Sequence, residues 1–572
     1  MKFLDLEDPG TPDVYSADIC IVGSGPAGTT IARELLRSGL RVILVESGGL
    51  TENAETHALY DGDTVGHTVY MMHGRHRVFG GSGTQWGGRC ALLDPIDFEQ
   101  RDWIGFSGWP FGYEDLLPYY ERAKSVSNFE NHWIDDDSAA KLLKAAPKPF
   151  AGGKLQRMVW RVASPDLRPS LRTYLTLGYR KHFDYGKAYR SELEQSPTTQ
   201  VLLNANMVGM ATSADGRRVE EIAVSTLDGR RARVRAGRFV LATSGIENAR
   251  QLLIAPPPLR ERANRHDLVG RLLSQHPRGD FGEIVVTHEQ ARRIQSAFHR
   301  FLVPPRVPVQ YEVGFALTEA AQREHKLVNA SAALVYYAHD NTPWKAGKRL
   351  MLAIKRLRTY RGMLPDALKL VVGTPAIAGN VARRYLLGRK LHHTMPSIHV
   401  EIDLEQVPNP ESRILLSFRR DRFGNPLARA DWRIAPIERR TARFFADALD
   451  EELRLMDLGY FKGKPWLYND EPLSTDDLFG NYHFIGTTRM DADATRGVVD
   501  PDCRVHGVEN LYCAGASVFP TGGHANPTLT IVALAIRLAD HLKSDKRDVK
   551  EKRNAGDTFA QDMSANEEQF AR

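Results

Sequence analysis

ICIVGSGPAG at residues 19–28, running into TTIARELL at 29–36, is the stretch that sets the fold. An apolar run, then glycines at 23, 25 and 28, then apolar residues at helical spacing reads as strand, tight turn and helix. Gly23 permits the turn, Gly25 lets backbone approach a pyrophosphate, and Gly28 lets the helix pack closely on the strand. Ser24, Pro26 and Ala27 complete the loop, and the helix N-terminus behind it stabilises phosphate charge. RVILVE (41–46) then forms a second strand ending in Glu46, with Ser47 beside it. That acid is placed to accept hydrogen bonds from a ribose 2′-OH. The unit reads as a binding site for FAD or NAD, the alternative being a glycine-rich turn with no ligand.

Two further stretches choose between those cofactors. GGSGTQWGG (80–88) holds five glycines in nine positions, so its backbone is expected to lie against something flat or anionic. Gly80, Gly81, Ser82, Gly83, Trp86 and Gly88 are the residues expected to touch it, with filling the core as the alternative for Trp86. At the far end, VENLYCAGAS (508–517) is a strand stopping at a small-residue turn, Gly515–Ala516, and PTLTIVALAIRLADHL is an apolar-faced helix opening after Asn526. Pro527 and Thr528 start that helix, whose N-terminus favours negative charge on a bound ring.

With GSGPAG, RVFGGSGTQWGG, SGIENARQLL (244–253), HFIGT and HANPTLT in order, the chain resembles the glucose–methanol–choline (GMC) flavoprotein oxidoreductases from about residue 16 to 542. NPTLT at Asn526 resembles the branch of pyranose oxidase and of the fructose and gluconate dehydrogenases. The resemblance implies FAD, oxidation of an alcohol to a carbonyl, and an active-site pair of His483 and Asn526. Alcohol oxidation by a flavin removes a hydroxyl proton and sends a hydride to flavin N5, so the protein must supply a base and an aligned pocket. A histidine, with its ordinary pKa near 6.5, suits the base, and an asparagine can orient the hydroxyl without titrating. The resemblance assigns these parts to His483 and Asn526, and adds Val208 to the residues that meet the cofactor. His524 either lines the substrate pocket or caps the turn. His506 is expected to be structural, and Arg489 and Arg504 to pair with Asp491 and Asp502. Gln85 stands where the pyranose oxidase branch carries the histidine that bonds covalently to the flavin. FAD is therefore expected to be non-covalent, unless His73 or His76 reaches the ring.

The expected fold class is α/β: a Rossmann-like FAD domain assembled from three segments, plus a substrate domain with an antiparallel sheet covered by helices. The FAD segments are drawn at 14–100, 195–300 and 481–545, with cap elements at 101–194, the substrate domain at 301–480 and a disordered tail at 546–572. SIHVEIDLEQ, RILLSF and LARADWRI alternate apolar and polar residues as strands of that antiparallel sheet. Apolar content of 42% and charged content of 26% are those of an ordinary globular chain. Four cysteines without a CxxC, an N-terminus with neither a basic n-region nor an apolar h-region, and no eighteen-residue apolar run imply a cytoplasmic protein without metal.

Residues 344–390 carry twelve Lys or Arg against the single acid Asp366, more than the whole chain's net charge of +6. Interleaved with apolar residues, they read either as a charged outer face or as a docking surface for an anionic membrane or partner. The second reading would place the protein peripherally at the inner membrane surface. No nucleic-acid module is present. The partners are thus a small alcohol or sugar and an electron acceptor, whether quinone, O2 or protein. Against oxidation of a sugar-like CH–OH group stand a non-sugar alcohol (sterol, terpenoid or polyketide) and a catalytically silent docking subunit.

Overall fold

The computed structural model describes residues 3–128, 150, 152–163, 183–298, 300–302, 310–337, 342–355, 359–386 and 397–544. The tail from 546 lies outside the described residues. The apolar strands Val14–Val22 and Val42–Val45 pair in parallel. Their sheet runs Phe3–Asp5, Thr199–Leu203, Val42–Val45, Val14–Val22, Arg231–Leu241, all parallel. Arg231–Leu241 is long enough to have two partners on its far edge. Residues 231–235 pair antiparallel with Val219–Ser225, whereas 239–241 pair parallel with Leu511–Cys513. Val42–Val45 is buried at every position, as a strand covered on both faces must be. Helix Pro26–Glu34 packs on helix Thr528–Ser544, which packs in turn on Tyr113–Val126. The sheet therefore draws on three separated stretches of chain.

A second, nine-stranded sheet is antiparallel: Tyr460–Gly463, Pro277–Val285, Ser397–Leu404, Ala330–Tyr337, Gln310–Leu317, Leu155–Val162 and Arg89–Cys90 in order, with two short strands at the side. Helix Pro436–Leu455 covers it with Phe445, Leu449 and Leu453 buried. The α/β architecture with an antiparallel substrate sheet is thus present, with differences in detail. Leu155–Val162, drawn with the cap elements, and Arg89–Cys90, drawn with the first FAD segment, are strands of the antiparallel sheet. Pro277–Val285, drawn above with the second FAD segment, hydrogen-bonds within the antiparallel sheet. Phe3–Asp5, drawn outside the first segment, belongs to the parallel one. Arg413–Arg420 and Pro426–Trp432 do not join Ser397–Leu404 but form a separate three-stranded sheet with Gly62–Gly66. Alternation fixes which face a strand buries and carries no information about which sheet it joins.

A fully buried ion pair, Arg101–Glu405, in which two guanidinium nitrogens donate to the carboxylate, ties the segment after helix Pro95–Phe98 to the end of strand Ser397–Leu404. All four cysteines are free and buried. Among the described residues no helix is long and apolar enough to cross a membrane.

Candidate active site

At the carboxyl ends of Val14–Val22, Val42–Val45 and Arg231–Leu241, where a parallel sheet binds its ligand, lies a cavity of about 520 Å3 that reaches across to Arg278 on the antiparallel sheet. Of the residues expected to meet the cofactor, Gly23, Ser24, Gly25, Pro26, Ala27, Glu46, Ser47, Gly81, Ser82, Gly83, Trp86, Gly88, Gly515, Ala516, Asn526, Pro527 and Thr528 line it, as does His483.

The geometry at the nucleotide end follows from the glycines. Gly23 sits at φ +100°, and a Cβ there would lie 2.5 Å from the Ala242 carbonyl oxygen. At Gly25 a Cβ would meet no protein atom within 4 Å: the space beside it is cavity. Glu46 ties the loop down. Its Oε2 accepts from the Ser24 amide (3.0 Å) and hydroxyl (2.6 Å), and its Oε1 from the Gly48 amide at 2.9 Å. Burial raises its pKa. Glu46 therefore shapes the phosphate loop as well as facing the cavity. Gly28 and Gly80 are not in the wall. Gly28 backs onto the Gly23 carbonyl, and the Gly80 amide donates to Ser24 Oγ at 3.0 Å.

A buried charge cluster closes the middle of the cavity, and sequence reading missed it. Arg75 and Arg77 stack on the Tyr60 ring at 3.8 and 4.3 Å from its centroid. Both face Glu247, which Arg250 also pairs at 3.2 Å. Burial would raise Glu247, but Arg250, Arg77 and Arg75 outweigh it and hold the carboxyl at about 2. Glu247 and Arg250 lie in SGIENARQLL and Arg77 in RVFGG, motifs quoted above only for the resemblance they carry, with Arg75 two residues before Arg77. Beside them the buried Ser244 hydroxyl lines the cavity with no hydrogen-bond partner among the described residues, on a backbone held at φ 87°. A phosphate-accepting loop, guanidinium groups and an unpaired hydroxyl along one cavity fit a dinucleotide cofactor such as FAD.

At the opposite end Tyr482, His483 and Phe484 all line the cavity, Tyr482 in the left-handed region at φ 59°. Such strain persists only where the surroundings hold it, here the stack of Tyr482 on His73, 6.2 Å between centroids. His483 Nδ1 lies 2.9 Å from Nδ1 of His276, a residue whose sequence context, SQHPRG, gave no sign of a role. The protons follow from the partners. His276 Nε2 lies 2.9 Å from the Gly523 carbonyl oxygen, which only accepts, so Nε2 carries the hydrogen. Burial lowers the His276 pKa and keeps the ring neutral, leaving Nδ1 an acceptor. His483 must then donate from Nδ1, and its Nε2 is left with a free lone pair. Burial, then the fields of His276 and Arg278, push the His483 pKa well below 6.5. Arg278, in the same wall, donates to Glu401 and to Asp403, the latter at 3.4 Å.

Trp86 lines the cavity and donates its indole N–H to the Phe183 carbonyl at 2.6 Å. Gln85 and His76 both turn to Glu52, at 3.0 and 2.6 Å.

Several expectations change. His524 is buried outside the cavity wall with Nε2 3.4 Å from Asp94. Burial would lower its pKa, but Asp94, Asp97 and Asp403 raise it overall, so its place is in a structural carboxylate network. Val208 does not line the cavity: the strand bulges between Met207 and Gly209, and Ala205 and Met207 face inward instead. Arg489 pairs with Asp491 at 2.6 Å as expected, but Arg504 pairs with Asp500 (3.1 Å), Asp502 being held by Arg537. His506 Nε2 reaches the Asp491 carbonyl at 2.9 Å, a structural contact.

Comparison with known proteins bears on the family and the fold. Residues 18–180 match the model for FAD dependent oxidoreductases, and residues 408–535 the model for GMC oxidoreductases. The chain is 26% identical to the 6'''-hydroxyparomomycin C oxidase of Streptomyces lividus, with 94% of each chain covered. It is 24% identical to the 2-methyl-1,2-propanediol dehydrogenase of Mycolicibacterium austroafricanum, covering 95% of this chain and 98% of the relative. In fold it is similar to formate oxidase, an Aspergillus oryzae form of which is also solved: TM-score 0.54 at 17% identity, over 94% of this chain and all of the other.

Proposed function

The chain belongs to the GMC oxidoreductases, FAD-dependent enzymes that oxidise a CH–OH group, and from that premise we propose that its substrate is a sugar, glycoside or sugar-like polyol and that His483 is the base. The observation that carries the base is the His276–His483 hydrogen bond, which leaves Nε2 of His483, a residue of the cavity wall, unprotonated. Relatives that oxidise an aminoglycoside and a short diol support a polyhydroxylated substrate.

FAD would be held, non-covalently, by the Gly23–Ala27 loop, Glu46, the Gly81–Gly88 loop and the start of helix Thr528–Ser544, and when bound it supplies the hydride acceptor. His483 Nε2 takes the hydroxyl proton as the carbonyl forms. Asn526, in the same wall, orients the hydroxyl through its amide. Because His483 is depressed well below 6.5, it stands neutral at working pH and needs no prior deprotonation. The proton then resides on His483 until the product leaves.

The test is anaerobic mixing of the yellow protein with D-fructose, D-glucose, an aminoglycoside, a short diol and a sterol, following loss of flavin colour. A sugar, aminoglycoside or diol should bleach the flavin. The His483→Ala variant should keep FAD and slow bleaching by about 10²–10⁴-fold, the worth of a general base. Unchanged bleaching in that variant removes His483 from the role, and bleaching by the sterol alone removes the polyol.

A further inference from the structure

Away from the cavity, the described surface departs furthest from a solvated one on helices Pro343–Lys355 and Met363–Val372. Leu364, Leu368, Val371 and Val372 are 67–85% exposed. Their spacing, i, i+4, i+7 and i+8, puts them on one face of the second helix. Met351, Leu352 and Ile354 of the first helix are exposed as well. The two helices do have an interior: Ala346, Leu350 and Ala353 are buried, and Gly347 lies against Leu370. Arg349 and Tyr360 both bind the Asp366 carboxylate, locking the pair together. The apolar stripe is what that packing leaves out. A contiguous exposed apolar face on an otherwise soluble surface marks an interaction site.

The charge around the stripe selects the occupant. Lys348 and Arg361 are exposed beside it, and the one acid of residues 344–390 is taken by Arg349. A second copy of the chain would set this basic segment against itself, like charge on like charge. We propose that this face docks on a bilayer containing anionic phospholipid, the stripe entering the acyl boundary while the cations meet headgroup phosphates. With no helix among the described residues able to cross a membrane, the mode is surface-lying. It rests on nothing assigned to the cavity, and leaves the cavity free to take a soluble substrate.

Sedimentation of the full-length, FAD-loaded protein with vesicles tests it. The protein should stay free of pure phosphatidylcholine vesicles and bind those containing phosphatidylglycerol, less so as salt rises. The variant Leu364→Gln/Leu368→Gln/Val371→Gln/Val372→Gln should stay yellow, because all four side chains are exposed, and bind at least about tenfold more weakly. Wild-type protein that ignores anionic vesicles at low salt, or a fourfold variant that binds as before, overturns the proposal. So does a dimer in analytical ultracentrifugation that the four substitutions dissociate, since the stripe would then belong to a second copy.

Discussion

His276→Leu removes the one acceptor that His483 Nδ1 has among the described residues, at 2.9 Å, while leaving every residue named in the cavity wall in place. A buried donor left without a partner costs about 1–3 kcal/mol. His483 escapes that cost by moving its proton to Nε2, the atom that must receive the substrate's proton. Restoring the reactive tautomer then costs the same amount, and at about 1.4 kcal/mol per tenfold the rate of flavin reduction should fall by roughly 5- to 150-fold. His276→Asn provides the contrast, since its Oδ1 occupies the place of the imidazole Nδ1 and can accept from His483. That variant should stay within about threefold of wild type. The assay is anaerobic stopped-flow flavin reduction at saturating alcohol, with FAD content measured on each variant and the histidine ring nitrogens followed by NMR. Wild type and His276→Asn should show His483 protonated at Nδ1, His276→Leu at Nε2. Full-rate reduction by His276→Leu, or equal loss in both variants, refutes the tautomer argument even if His483→Ala confirms the base.

Other expectations follow from the same geometry. His483 must be neutral to act and its pKa is lowered, so kcat/KM should hold through pH 6.5 and fall only well below it; an acid limb with a midpoint at 7 or above contradicts this. Gly25→Val should give a folded but colourless protein, because the new side chain meets open cavity and no protein atom; far-UV circular dichroism with FAD released on denaturation separates this from misfolding. Glu247→Gln leaves Arg75 and Arg77 without their anion, while Arg250 keeps Asp421, and should cost about 3–5 kcal/mol in denaturant unfolding. The sign with pH is fixed as well. Glu247 at about 2 when folded, against 4.5 unfolded, stabilises fully above 4.5 and loses that contribution as pH falls towards 2, so the variant's penalty should shrink over that window.

The cofactor cavity was legible because its parts are local. GSGPAG with Glu46 eighteen residues on, and NPT at a helix start, declare their shape within a few residues, and all of these but Gly28 line the wall. The base could be placed by resemblance, but its partner could not: His276 and His483 stand 207 positions apart and meet only because two stretches of irregular chain cross. Ser274 and Ile485 bridge just there. Glu247 shows a subtler failure, a charged residue hidden in a motif quoted only for the resemblance it carries. His524 failed the other way, two residues from Asn526 in sequence yet turned to Asp94. Strand alternation gave Arg413–Arg420 and Pro426–Trp432 as strands and could not give their sheet, since pairing partners are chosen by tertiary contact.

The parallel sheet closes on Leu511–Cys513, which pairs with residues 239–241 across more than 260 positions. A ribosome delivers Arg231–Leu241 more than 260 residues before this strand, so the nascent chain passes through that stretch of synthesis with half a binding site. During that wait the edge of Arg231–Leu241 is an open template for wrong pairing. Cofactor capture that needs both ends of the site waits for strand Leu511–Cys513, and flavin present then favours the closed sheet over wrong pairing by binding only the closed form.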